Sequence, residues 1–249
     1  MGNRRPINRL VIDKVAGSGK AEVVKTPSQF SHILWVASKG NLGIRNVAII
    51  WLLFGSGLRV NEVAHLKIKD LFYKDGSIKK AFSIPSSYTK TGQPRTVFLL
   101  AKQQVRAILD WKEYRLSEGG FLSLDGSYGG LSGDSNFIVT KHGKNWRKLA
   151  FNDKKYESTS GEKKTTKVCS SLENLVRDLL KGAGLQHGSS HSGRRTLATW
   201  LDRKDYKLEL IQQILGHATP DMTLEYIDLD LERLEKAHKS IWAGVKLPE

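Results

Sequence analysis

The amino-acid sequence predicts a mainly α-helical fold with a small antiparallel β-sheet, in the α+β class. Apolar residues recur with a helical period in the first and last thirds of the chain, and a strand-like period appears only near residues 81–99. The longest unbroken apolar run, 47–54, has eight residues, whereas a membrane-spanning helix needs about 20. At 249 residues the chain is long enough to bury a sound core, so we expect a globular protein with no membrane partner.

The first helix is expected to follow a basic N-terminal arm. Residues 1–25 carry six basic and two acidic residues without a helical period, which predicts a basic arm or a disordered lead-in. Thr26 is the expected N-cap, with Pro27 at the first helical position and Gln29 at the capping-box site. Gly40 is expected to end this helix.

A buried helix and a β-hairpin are expected next. Residues 42–54 are apolar nearly all round, which is typical of a buried helix. A short helix over about 60–66 follows, and residues 81–84 and 95–99 have the pattern of strands. The turn residues at 89–94 join these strands, which predicts a hairpin.

The middle of the chain is expected to be less regular. A helix over about 102–116 precedes a Gly- and Ser-rich loop over 117–135. Residues 141–167 carry nine basic and three acidic residues, and the sequence leaves open whether they form a solvated insertion or a DNA-facing surface. Ser170 and Glu173 have the spacing of a capping box that opens a further helix.

The last third is again expected to be helical. Gly216 stands where a left-handed helix end is expected, and Thr219-Pro220 starts a short helix that carries Tyr226. Residues 229–249 are expected to form a C-terminal tail with an apolar stripe. Such a stripe packs either on its own domain or on another copy of the chain.

The charge balance favours a polyanionic partner. Forty Lys and Arg against 25 Asp and Glu give a net charge of +15 and a pI near 9.8. Such an excess attracts nucleic acid, although membranes and acidic proteins also bind basic surfaces. The single cysteine, Cys169, excludes an intramolecular disulfide, and the N-terminus lacks the apolar segment of a secretory signal. We therefore expect a cytoplasmic protein.

Two segments place a cation at an unusual position. In Gly55-Ser-Gly-Leu-Arg59-Val-Asn-Glu62 an arginine opens a helix, and Glu62 lies on the same helical face, where it can orient the guanidinium. Taken alone, a plain surface ion pair is the favoured interpretation. Lys90 lies in the expected hairpin turn. A lysine there is normally exposed and has no function, but it can also reach into a DNA groove.

Two further segments carry proton-transferring groups. His191-Ser-Gly-Arg194 places an imidazole, which can accept a proton, beside a guanidinium, which can bind two phosphate oxygens. Leu215-Gly-His217 is followed nine residues later by Tyr226. Taken singly, the first histidine is equally a helix cap, and the tyrosine is more often a half-buried packing residue.

Together, and in this order, these motifs closely resemble those of the tyrosine recombinase (phage integrase) family. The resemblance covers about residues 26–242, and the Thr-Lys-Thr-Gly-Gln-Pro-Arg run at 89–95 is similar to that family's hairpin. It implies the tyrosine recombinase catalytic-domain fold over 26–249. Family members usually place a helical core-binding domain before it. At most 25 residues precede the first helix here, so no full core-binding domain is expected.

The resemblance also implies roles for single residues. Tyr226 is expected to be the nucleophile and His191 its base. Lys90 is expected to be the acid for the departing 5′-oxygen, and His217 is expected to hydrogen-bond the phosphate. The implied catalytic set is Arg59, Lys90, His191, Arg194, His217 and Tyr226, with Glu62 in support, and the expected DNA contacts are Arg59, Lys90, Arg95, Arg194 and Arg195.

The implied chemistry needs neither a metal nor another cofactor. Two arginines can stabilise the charge that develops on a phosphate, as a metal does in other enzymes. A covalent phosphotyrosine conserves the energy of the broken bond, so rejoining needs no ATP.

The implied function is that of a site-specific recombinase, which cleaves and rejoins double-stranded DNA through a 3′-phosphotyrosine. Such enzymes integrate, excise, invert or resolve DNA of mobile genetic elements. The resemblance further implies a homo-oligomer on DNA, a tetramer, with an accessory DNA-bending protein as a further partner and the nucleoid as its location. A type IB topoisomerase and a non-catalytic DNA-binding regulator are the alternatives. A generic RNA-binding protein is disfavoured because the sequence lacks the aromatic motif of such modules.

Overall fold

The computed structural model describes residues 20–85, 88, 94–157, 163–217 and 219–227. The helices in this part of the chain are α1 (Pro27–Ala37), α2 (Gly43–Gly55), α3 (Val60–His65), α4 (Ile68–Leu71), α5 (Lys102–Ser117), α6 (Ser170–Gly182), α7 (Ser192–Arg203), α8 (Leu208–Leu215) and α9 (Pro220–Leu224). The strands are β1 (Ala81–Ile84), β2 (Arg95–Phe98), β3 (Val139–His142), β4 (Asn145–Lys148), β5 (Asn152–Glu157) and β6 (Lys163–Val168), and a 3-10 turn spans Ser127–Gly130. The prediction of a mainly α fold with small antiparallel sheets is confirmed.

Helix α2 lies at the centre of the fold. It packs against α1, α5 and α7, and nine of its 13 residues are buried. The expectation of a buried helix is therefore confirmed, although Ile44, Val47, Trp51 and Gly55 leave one face partly exposed. Helix α5 contributes the fully buried Trp111, whose indole N–H donates to the carbonyl of Phe137 at 2.8 Å. The sequence analysis had not singled out this tryptophan as a core residue.

The strands pair as three separate antiparallel hairpins, β1–β2, β3–β4 and β5–β6. The hairpin expected around residues 81–99 is β1–β2, with Ile84 opposite Arg95. The other two lie in the basic segment 141–167, for which no strand was predicted. Their strands are rich in lysine and polar residues, so they lack the apolar alternation by which strands are found in a sequence.

The sequence predicts the N-terminal cap of α1 correctly and that of α6 incorrectly. Thr26 caps α1 as expected, since its hydroxyl accepts from the N–H of Gln29 at 3.2 Å. At α6 the expected capping box at Ser170 is wrong, because the N-cap is Cys169 and no side chain caps this end. Glu173 donates its backbone N–H to the Cys169 carbonyl at 3.1 Å, an ordinary helical bond.

Residues 20–25, expected to be part of an arm, pack against α7. Val24 is fully buried, and its N–H donates to the Thr196 hydroxyl at 3.0 Å. Its carbonyl accepts from the Trp200 indole at 2.8 Å. This end of the expected arm is therefore part of the domain.

Glycine in the His191-Ser-Gly-Arg194 motif brings two helices together. A Cβ on Gly193 would lie 2.6 Å from the carbonyl oxygen of Leu53, so only glycine lets α7 approach α2 this closely. The next residue is Arg194, and this contact places it close to the end of α2. Local packing thus positions a residue of the expected catalytic set.

Several expectations fall outside the described residues. Lys90, most of the expected arm (1–19) and the tail (229–249) belong to this group. Within the described ranges, none of the helices combines the length and apolar character needed to cross a membrane.

Candidate active site

Five residues of the expected catalytic set lie together in the structure. They come from the start of α3, from both ends of the α7–α8 region and from the turn after α9. They are Arg59, His191, Arg194, His217 and Tyr226. The sixth, Lys90, lies outside the described residues, so its placement stays a prediction.

Arg59 is the N-cap of α3, and Glu62 holds it in place. Glu62 Oε1 accepts from Arg59 Nη1 at 3.0 Å, and Glu62 Oε2 accepts from the Arg59 backbone N–H at 2.7 Å. Burial alone would raise the pKa of the Glu62 carboxyl, but Arg95 and Arg59 lower it below its usual value. Glu62 is therefore an anion that orients the Arg59 guanidinium.

Arg194 lies in the interior and is tied to two segments of backbone. Its Nη1 donates to the Gly57 carbonyl and its Nη2 to the Leu215 carbonyl, each at 2.6 Å. Gly57 precedes Arg59 by two residues, and Leu215 precedes His217 by two. One guanidinium therefore holds both of these catalytic candidates at a fixed separation.

His217 contacts Arg194 on one side and Thr223 on the other. Arg194 Nη2 donates to His217 Nε2 at 2.8 Å, and His217 Nδ1 lies 3.0 Å from the Thr223 hydroxyl. Burial, together with the positive charges of Arg194, Arg59 and Arg95, lowers the pKa of His217 to about 3. The imidazole is therefore neutral near pH 7, and its proton sits on Nδ1 because Nε2 must accept from the arginine.

Tyr226 lies over these groups, just beyond α9. Its hydroxyl is 3.2 Å from Nδ1 of His191, the N-cap of α7. Its ring centroid is 4.7 Å from that of His217 and 5.6 Å from Cζ of Arg194. The phenol is thus in hydrogen-bond contact with a possible base and rests against a cation.

The site holds more positive than negative charge. Three guanidinium groups, those of Arg59, Arg95 and Arg194, act on one another and on the single carboxylate of Glu62. Two positive charges therefore remain without a partner in this set. In addition, the Nε–H of Arg194 has no acceptor among the described residues. An excess of oriented guanidinium groups is suited to a phosphate diester.

Two of the expected DNA contacts, Arg95 and Arg195, have buried side chains. The Arg95 side chain is only 5% exposed, and its Nη2 donates to Glu62 Oε2 at 2.6 Å. Its Nη1 donates to the Ile214 carbonyl at 3.2 Å. Arg195 is also buried, and it donates to the carbonyl of Ala21. Both side chains bind other parts of the protein, which favours a structural role, and their contact with DNA stays a prediction.

The burial of Arg95 could be inferred from the alternation of side chains in β2. Arg95 and Val97 face inward, while Thr96 and Phe98 face outward. A second missed residue, Thr223, left no comparable signal, since a threonine in a short helix is most often exposed. Its role depends on the turn that returns α9 to His217.

Metal ligands are not clustered in this part of the protein. Among the described residues, no three His, Cys, Asp or Glu side chains lie close enough together to hold a metal ion.

Sequence comparison relates the chain to known proteins. A model of the Phage integrase family matches residues 24–233. The tyrosine recombinase XerD of Rickettsia prowazekii (strain Madrid E) is 28% identical over 234 residues, which cover 92% of this chain and 66% of that protein. Transposase A from transposon Tn554 of Staphylococcus aureus (strain N315) is 28% identical over 189 residues, or 74% of this chain and 44% of that protein. The chain thus spans between 44% and 66% of the length of these curated relatives.

Solved structures share the fold. The crystal structure of XerA recombinase matches with a TM-score of 0.58 and 23% identity, over 92% of this chain and 67% of that one. The Tn1549 transposon integrase in complex with transposon right end DNA matches with a TM-score of 0.57 and 17% identity, over 97% of this chain and 73% of that one. The chain therefore shares the overall fold of these proteins.

Proposed function

The chain belongs to the phage integrase family, and on this premise we propose that it is a site-specific DNA recombinase with Tyr226 as its nucleophile. The observation that carries the proposal is the contact between the Tyr226 hydroxyl and His191 Nδ1, at 3.2 Å, directly over Arg194. A phenol, a base and a buried cation are the groups that attack on a phosphate diester requires.

Phosphate binding is the first step. Arg59 and Arg194 bind the non-bridging oxygens, with the Nε–H of Arg194 available as a donor. In the described arrangement the ring of Tyr226 covers the Arg194 guanidinium. The ring therefore has to shift as the phosphate enters, while its hydroxyl stays close to the phosphorus.

Cleavage follows by in-line attack of Tyr226. Its Oη forms a bond to phosphorus as the bond to the 5′-oxygen breaks, and the phenol proton passes to His191. Lys90 protonates the departing 5′-oxygen. Arg59 and Arg194 are already oriented when charge builds on the phosphate, so little reorganisation is needed. Both ring nitrogens of His217 are bound within the protein, so in this arrangement His217 acts by holding Arg194.

Rejoining is the same reaction in reverse. A 5′-hydroxyl attacks the 3′-phosphotyrosine, and Tyr226 leaves and regains its proton. If the attacking 5′-end comes from a second duplex, the outcome is strand exchange. One phosphodiester is made for each one broken, so the cycle needs neither ATP nor a redox partner.

The assembly and setting are part of the proposal. Double-stranded DNA with specific recombination sites is the substrate, and a tetramer on two duplexes is the proposed active form. An accessory DNA-bending protein is a proposed partner. The cytoplasm, with association with the nucleoid on DNA binding, is the proposed location.

A strand-exchange assay tests this function. A nicked duplex with the recombination site traps the covalent adduct, and two differently labelled duplexes report exchange, both in EDTA. Adduct and exchange products without divalent metal are expected. An adduct with relaxation of supercoils but no exchange would indicate a type IB topoisomerase. Specific DNA binding without any adduct would indicate a non-catalytic regulator.

A further inference from the structure

The hairpin formed by β5 and β6, residues 152–168, carries exposed lysines that lack acidic neighbours across the strands. Lys154 is paired with Thr166 and Lys155 with Thr165 in the antiparallel register, and both lysines are exposed. Lys167 lies 3.7 Å from Asp153, but both side chains are more than 60% exposed, so this pair neutralises little. We call this element the basic hairpin.

The end of β6 in the basic hairpin is hydrogen-bonded to α3, the helix that begins after Arg59. Asn61, two residues after Arg59, donates its side-chain N–H to the Lys167 carbonyl at 3.2 Å. Its side-chain oxygen accepts from the Cys169 backbone N–H at 3.1 Å. One asparagine thus holds the end of β6 and the residue after it against the first turn of α3.

A second contact joins the start of the basic hairpin to the segment before Lys90. The ring of His65, at the end of α3, lies 4.3 Å from that of Phe151, which directly precedes β5. The same ring lies 5.5 Å from that of Tyr88, two residues before Lys90 in the sequence. The basic hairpin therefore begins beside two segments of the proposed active site.

We infer that the basic hairpin binds the phosphate backbone of the duplex that flanks the cleaved phosphate. The inference rests on the proposed function, which places DNA at Arg59. Six-residue strands extend about 20 Å, which corresponds to roughly six base pairs at about 3.4 Å each. Successive side chains of a strand point to opposite faces, so Lys155, Thr165 and Lys167 share one exposed face of the hairpin. Lys155 and Lys167 supply the charge, and the Thr165 hydroxyl supplies a further donor to phosphate oxygens.

The chemistry of these contacts favours backbone binding over base recognition. Lysine is a flexible point charge, which suits phosphates and gives no fixed geometry towards a base edge. The hairpin therefore adds affinity and orientation at any sequence. A second copy of the chain would be the competing occupant, and the test below separates it from DNA.

The test compares two variants of the full chain with equal charge. Lys155→Gln/Lys167→Gln changes one face of the basic hairpin, and Arg177→Gln/Lys181→Gln changes two exposed positions on α6. Affinity for a duplex with the recombination site is measured over a range of salt concentrations. Loss of two phosphate contacts should lower the slope of log K against log salt by about 1.8 in the hairpin variant, because each contact contributes about 0.9. The α6 variant should keep the wild-type slope.

Trimmed duplexes locate the contact. DNA is shortened on one side or the other of the cleaved phosphate, to within about three base pairs, half of the hairpin's estimated reach. On the duplex trimmed on the side that the hairpin contacts, the wild type and the hairpin variant should bind with equal, weak affinity. On the duplex trimmed on the other side, the wild type should still bind more tightly than the hairpin variant.

Three results would overturn the inference. They are equal slopes for the hairpin variant and the wild type, equal losses in both variants, and a defect only in self-association by sedimentation. Failure of the proposed function is separate, since it would appear as the absence of a covalent adduct in the wild type. Failure of this inference leaves that adduct and removes the difference between the variants.

Discussion

Arg194 donates a hydrogen bond from Nη2 to Nε2 of His217 at 2.8 Å, and burial together with this contact lowers the pKa of the histidine and keeps it neutral. The pair joins α7 to the turn after α8, and both residues contact the ring of Tyr226. Since Nε2 must accept, the proton of His217 stays on Nδ1, towards Thr223. The protonation of the site is therefore set by the fold before DNA arrives.

Acid should destabilise the protein through His217. Its pKa is lowered from 6.5 to about 3 by burial and by nearby arginines. Stability from the neutral ring is complete above pH 6.5 and is lost as the pH falls towards 3, by at most about 1.4 kcal/mol per pH unit. Urea unfolding of wild type and His217→Gln between pH 7 and 4 should give converging free energies. His142→Gln, at an exposed position, is the control, and parallel curves for His217→Gln would refute the assignment.

The arginines should resist replacement by lysine. Arg59→Lys and Arg194→Lys should each slow single-turnover cleavage by about two to three orders of magnitude, because an oriented donor to the transition state is lost. Arg194→Lys should also lower the melting temperature, since it loses bonds to two buried carbonyls. Arg106→Lys, at an exposed ion pair on α5, should leave both unchanged. Wild-type cleavage by either site variant would contradict the proposed role.

Gly216 should tolerate no side chain. It adopts a φ of +62°, and a Cβ there would lie 2.3 Å from Cδ of Arg95. Gly216→Ala should therefore cost more than the roughly 1–3 kcal/mol of backbone strain alone. Gly143→Ala is the matched control, because its φ is +59° with nothing within 4 Å. Equal losses in urea unfolding would mean that contact with Arg95 contributes nothing.

Arg95 should act on stability and leave the salt dependence of DNA binding unchanged. Arg95→Lys breaks the buried contacts to Glu62 and to the Ile214 carbonyl, so the melting temperature should fall by several degrees. The slope of log K against log salt should match that of the wild type, since no phosphate contact is lost. A slope lowered by about 0.9 would restore Arg95 as a DNA contact.

The sequence predicted the elements whose signals are local. The Thr26 cap, the buried helix α2 and the first hairpin depend on neighbouring residues, and the structure has them. Hairpin β5–β6 was missed because its lysine-rich strands depend on backbone pairing and on Asn61, more than 90 residues away. The burial of Arg95 could have been read from its alternation with Val97.

The candidate site was predictable as a set of residues, but its electrostatics were not. Motif order alone pointed to Arg59, His191, Arg194, His217 and Tyr226. The neutral state of His217, by contrast, depends on burial and on three guanidinium groups that meet only in three dimensions. The spacing of the motifs does not show that three guanidinium groups share the single buried carboxylate of Glu62.

The most direct test of the account is to find which side chain carries the DNA. Protein trapped on a nicked duplex with the recombination site is digested, and the peptide linked to DNA is identified by mass spectrometry. The account predicts linkage at Tyr226, no adduct in Tyr226→Phe with its fold and DNA binding intact, and a normal adduct in the control Tyr206→Phe. Linkage at Tyr206 or Tyr88, or an adduct that persists in Tyr226→Phe, would contradict it.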